Sequence, residues 1–77
     1  SLKEKRRILH GITQSLRARL DVSVAEVGAA NLRQRAFVAV VCVGSNRGYV
    51  ERVLNKALSL AESKEGAQVC GWQIEWL

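Results

Sequence analysis

The 77 residues contain no proline, a single histidine, two cysteines and few aromatic side chains: two Trp, one Tyr and one Phe. Each scarcity closes off a class of protein. Without proline, and without a Ser- or Gly-rich run, nothing marks a linker or a disordered segment. No apolar run approaches the ~20 residues needed to cross a bilayer, so no membrane partner is expected. The opening Ser1-Leu-Lys-Glu-Lys-Arg-Arg7 lacks the apolar core of a secretion signal, which makes a cytoplasmic location the expectation. Cys42 and Cys70 lie inside apolar runs, and neither has a second Cys or a His at ligand spacing. No metal is expected, and the thiols read as free and buried in a reducing compartment. His10 stands among basic residues with no nearby carboxylate to orient it, and no Cys–His pair or carboxylate pair is apparent. The expectation is a domain that is not an enzyme and needs no cofactor.

What the chain does have is an uneven distribution of charge. Residues 1–19 carry six Lys and Arg against Glu4 alone, while residues 20–77 balance six basic with six acidic side chains. The whole net charge of +5 therefore sits on the first segment. A neutral body with one basic element favours an anionic partner, because it concentrates polyanions locally. A hydrophobic content of 48% suffices for one small packed domain over residues 1–77, close to the lower size limit for a single core.

Residues 2–20 read as an amphipathic helix, with Leu2, Leu9, Ile12, Leu16 and Leu20 on one face and Ile8 beside it. Lys3, Arg6, Arg7, His10, Gln14 and Arg17 form a second stripe. Lys5 projects near the apolar stripe, where its stem would lie along the core edge with the ammonium reaching out. Val22-Ser-Val-Ala-Glu-Val27 is rich in β-branched residues and reads as a strand. A polar connection over 28–34 leads to Ala36-Phe-Val-Ala-Val-Val-Cys-Val43, apolar throughout, as in a central strand covered on both faces. Gly44-Ser-Asn-Arg-Gly48 opens a second helix with Ser45 or Asn46 as N-cap, and Val50, Val53, Leu54, Ala57, Leu58 and Ala61 form its inner stripe. Gly66 is placed to follow its end. A last strand is expected over 68–76, where Cys70, Trp72, Ile74 and Trp76 alternate with Gly71, Gln73 and Glu75. The order α-β-β-α-β is most of a ferredoxin-like unit, an α+β two-layer sandwich, without its opening strand.

Five segments in register resemble the bacterial YlxP-like family: Ser1-Leu-Lys-Glu-Lys-Arg-Arg7, Val22-Ser-Val-Ala-Glu-Val27, Gln34-Arg-Ala36, Val50-Glu-Arg-Val-Leu-Asn-Lys56 and Ile74-Glu-Trp-Leu77. The resemblance spans essentially the whole chain. It implies a domain of unknown function with a ferredoxin-like fold. Genes of such proteins often lie beside those of a translation initiation factor and a ribosome-binding factor, an association that points toward RNA or the ribosome. Two departures stand out. The family's hydrophobic first strand is missing, so the chain reads as truncated at its N-terminus, and Arg33 stands where an aromatic is expected. In the sheet order of this fold the missing strand would lie between 36–43 and 68–76. Those two strands should then not pair with each other, and a preceding segment or a strand supplied in trans would fill the gap. Cys42 and Cys70 would sit two strand spacings apart, roughly 9.5 Å, beyond the ~7 Å reach of a disulfide.

Candidate sites follow from charge and shape. Lys3, Lys5, Arg6, Arg7, His10 and Arg17 are the candidate nucleic-acid-binding residues, able to neutralise phosphates with little sequence preference. A solvated helix face accounts for the same residues. Ser45, Asn46, Arg47 and Gly48 sit at a strand-to-helix turn whose free N–H groups favour an anion, and an ordinary cap accounts for them equally. Stacking of bases on the sheet needs several aromatics, and Arg35-Ala-Phe-Val-Ala-Val40 offers Phe37 alone. Aliphatic residues on both faces of 36–43 imply instead a partner on the open sheet face, with a homodimer as the common solution. Trp72 and Trp76 would serve as core or interface anchors. Two functions remain in play: RNA or ribosome binding through the first helix, and a homo-oligomeric interaction module joined through its sheet.

Overall fold

A computed structural model describes residues 1–28, 32 and 34–77. Four elements run in the order α1 (Leu2–Arg19), β1 (Ser23–Glu26), β2 (Val38–Val41) and α2 (Arg47–Glu62). The result is an α+β fold in which two helices cover one face of a small antiparallel sheet.

Helix α1 begins where the Ser1 hydroxyl accepts the Glu4 amide at 3.2 Å, satisfying one of the donors a helix start leaves open. Its buried face is Lys5, Ile12, Thr13 and Leu16, with Ile8 and Leu9 half-buried. The Thr13 hydroxyl is satisfied within the helix by the His10 carbonyl at 3.2 Å. Leu2, counted in the apolar stripe, is 41% exposed, because the inward face runs through Lys5 instead. Helix α2 is capped by Asn46, whose side chain accepts the Tyr49 amide at 3.0 Å. Val50, Val53 and Ala57 are buried, whereas Leu54, Leu58 and Ala61 are only half-buried. The helix ends on Ser63 as C-cap, and Gly66 supplies the left-handed conformation (φ +86°) of the following turn rather than the cap itself.

Strands β1 and β2 pair antiparallel with Val24 opposite Val40 and Glu26 opposite Val38. Val24 joins Ile12, Leu16 and Ala57 in the buried cluster, and Val38 and Val40 pack against it. Strand alternation then turns Ala25, Ala39 and Val41 outward. The expectation for Arg33, and much of the polar connection around it, lies outside the described residues.

The strand expected over 68–76 does not form. Residues 68–77 have an extended, irregular backbone and belong to no sheet. Among the described residues their backbone finds no backbone partner. The alternation of Cys70, Trp72, Ile74 and Trp76 is present, but a strand needs a neighbouring backbone as well as a pattern. With no strand at 68–76, the sheet consists of β1 and β2 alone among the described residues. Cys42 and Cys70 are free; Cys42 is half-buried, and Cys70 is exposed because its segment is uncovered.

Candidate nucleic-acid interface on the first helix

Helix α1 lies across the inner face of the β1–β2 pair, with its basic stripe rising along the side of β1. A shallow hollow of about 440 Å³ between α1 and β1 brings together Arg6, His10 and Arg17 with Leu9, Thr13 and Glu26. Spacings of four and seven residues put these three side chains on one helix face about three turns long. Three of the six candidate residues thus share one concave surface.

The remaining three go elsewhere. Lys5 is buried, and its ammonium donates to the Leu32 carbonyl at 2.5 Å. Its charge is aimed at backbone, away from any phosphate on the outer face. Arg7 forks onto the Glu4 carboxylate one turn back, through its Nε at 3.1 Å and through Nη2. That pair holds the Glu4 carboxyl below the usual carboxylate range, chiefly through the Arg7 hydrogen bond, and raises the Arg7 guanidinium in turn. Lys3 is exposed.

Within the hollow, Arg6 Nη1 donates to Glu26 Oε1 at 2.6 Å. Among the described residues Glu26 Oε2 is buried without a hydrogen-bond partner, so this carboxylate leans on Arg6 and the field of its basic neighbours. Arg17 Nη2 donates to the Val24 carbonyl at 2.8 Å, covering an acceptor on the outer edge of β1. Glu26 was missed in the sequence. Its signal was parity: it shares the inward face of Val22-Ser-Val-Ala-Glu-Val27 with Val24, which places a carboxylate beneath a basic helix.

Ser45, Asn46, Arg47 and Gly48 lie at the start of α2. The Asn46 side chain accepts the Tyr49 amide, and the Arg47 guanidinium stacks on the Trp76 ring, 4.2 Å from its centroid. This cation–π contact tethers the extended C-terminal segment to α2. Among the described residues, no three of His, Cys, Asp and Glu come together, and no helix is long and apolar enough to cross a membrane.

The chain is 30% identical over 76 residues to a protein described as uncharacterized protein YlxP from Bacillus subtilis (strain 168), covering 99% of this chain and 83% of that one. No solved structure matches it. Residues 1–74 match the model of a family described as protein of unknown function (DUF503), and the chain belongs to that family.

Proposed function

We propose that this chain is a non-catalytic bacterial domain of ferredoxin-like architecture that binds RNA, ribosomal RNA included, through the outer face of α1. The observation that supports this reading is the convergence of Arg6, His10 and Arg17 on one hollow, on the helix that carries the protein's entire net charge. Such a surface would contact phosphates and leave the bases unread, giving affinity with little sequence preference. Glu26 and Glu4 sit inside the basic surface, so an incoming phosphate must compete with carboxylates for Arg6 and Arg7. Binding is therefore expected to be weak and salt-sensitive.

The test is a salt titration of binding to a generic single-stranded RNA and to ribosomal RNA. The triple variant Arg6→Glu, Arg7→Glu, Arg17→Glu should lose binding, with its helical content checked by circular dichroism. Absence of binding by the unaltered protein at low salt, or binding untouched by the charge reversal, would overturn the proposal.

A second reading, a homo-oligomer joined through the outer sheet face, is favoured by exposed apolar residues there. Phe37 is 54% exposed, Val41 58% and Val43 85%. Sedimentation at high concentration separates the two readings, since a protein that stays monomeric has no such interface.

A further inference from the structure

The hollow between α1 and β1 holds cations of two kinds. Arg6 and Arg17 carry guanidiniums, which stay charged at every pH a protein meets. His10 stands between them with an imidazole, the side-chain type that ordinarily changes charge between pH 5 and 8. It is also the single histidine of the chain, so a charge change near neutrality has few other owners.

The surroundings decide what this imidazole can do. On α1 it stands one turn from Arg6 and two turns from Arg17, and Arg7 precedes it by three residues but forks onto Glu4. From β1 the hollow receives Glu26, and among the described residues neither β2 nor α2 contributes to its lining. The Glu26 carboxylate is engaged by Arg6 at 2.6 Å, so its charge is largely spent on that guanidinium. His10 is exposed, and its carbonyl accepts the Thr13 hydroxyl at 3.2 Å. Among the described residues no group bonds its ring, which is therefore open to a ligand in the middle of the basic run.

A phosphate changes the balance of the two protonation states. Its oxygens accept from a protonated imidazole much more strongly than from a neutral one. A ligand that prefers one protonation state draws protons toward it, and by the same linkage a change of pH alters the ligand's affinity. The sign follows: binding takes up protons, and affinity rises as pH falls. Carboxylates ordinarily titrate below pH 6, and ammoniums and guanidiniums above pH 8, so between these values the imidazole is the side chain that changes.

We propose that His10 is a proton-linked phosphate contact, through which the grip of α1 on single-stranded RNA tightens as pH falls from 8 to 6. This inference rests on the RNA reading and adds a regulation to it. At the acid end Arg6, His10 and Arg17 form an unbroken run of cations; at the alkaline end the run is interrupted in its middle and the strand is released more readily.

The experiment titrates the chain against a labelled oligouridylate, whose bases and phosphates keep their charge between pH 6 and 8, and reads anisotropy at both pH values. At 50 mM salt binding should be roughly fivefold tighter at pH 6, the scale of one exposed ion pair, with a salt slope steeper by up to about 0.7. His10→Gln should bind at both pH values as the unaltered chain does at pH 8, and His10→Lys should bind tightly at both. The site is exposed and both replacements favour helix, so the fold is not at stake. Calorimetry in buffers of different ionisation heat should record proton uptake by the unaltered chain and none by His10→Gln. Salt-sensitive binding that is flat with pH overturns this inference and leaves the RNA reading standing. A pH dependence that persists in His10→Gln also overturns it, by assigning the proton to another group such as the N-terminal amine. Absence of binding at either pH overturns both.

Discussion

Releasing the two paired arginines of α1 should steepen the salt dependence of RNA binding. Arg6 is held by Glu26 and Arg7 by Glu4, while Lys5 is buried against backbone. Among the described residues, Lys3 and Arg17 then remain as the cations of the outer face with no carboxylate on them, Arg17 donating to a neutral carbonyl. For single strands the slope of log K against log salt is about −0.7 for each phosphate neutralised. Two available cations give about −1.4, and four give about −2.8. Between 50 and 200 mM salt these slopes correspond to losses of roughly sevenfold and roughly fiftyfold. The double variant Glu4→Gln, Glu26→Gln should therefore move the slope from near the first value to near the second and bind more tightly at low salt. Fluorescence anisotropy with a labelled single-stranded RNA reads both quantities. An unaltered protein that already shows the steeper slope, or a double variant with an unchanged one, refutes the claim that the carboxylates compete with phosphate.

Lys3→Met should flatten that slope by about 0.7, whereas Lys5→Met should leave it unchanged because its ammonium is turned inward; the same anisotropy titration compares them. Leu16, 1% exposed, is the largest fully buried side chain, so Leu16→Ala should cost about 2–5 kcal/mol in urea unfolding. That is a large share of the roughly 4–12 kcal/mol expected of a chain this size, and a midpoint unchanged by the substitution would refute the core assignment. Gly66→Ala places a Cβ 2.8 Å from Ile8 Cδ1 at a φ of +86°, and should cost about 1–2 kcal/mol, whereas Gly71→Ala meets nothing within 4 Å and should be silent. Because the folded-state pKa of Glu4 is depressed, its pair with Arg7 stabilises α1 above the unfolded carboxylate pKa. That contribution is lost as pH falls through the lower folded value. An NMR titration of the Glu4 carboxyl should find its midpoint below that of an unfolded peptide, and a midpoint at or above it would sink the assignment.

The elements set by local chemistry were legible in the sequence. Helical spacing located both helices, one of the two cap candidates, Asn46, starts α2, and β-branched runs located β1 and β2. Lys5 was read as lying along the core edge, and it does, but its ammonium turns back to Leu32 instead of reaching water. The strand at 68–76 failed because its alternation is a property of the segment alone, whereas a ladder depends on a neighbour far away in sequence. The same limit applies to the site. The cations were visible as a stripe, but their availability depends on carboxylates that the fold delivers, and Glu26 lies 20 residues from Arg6.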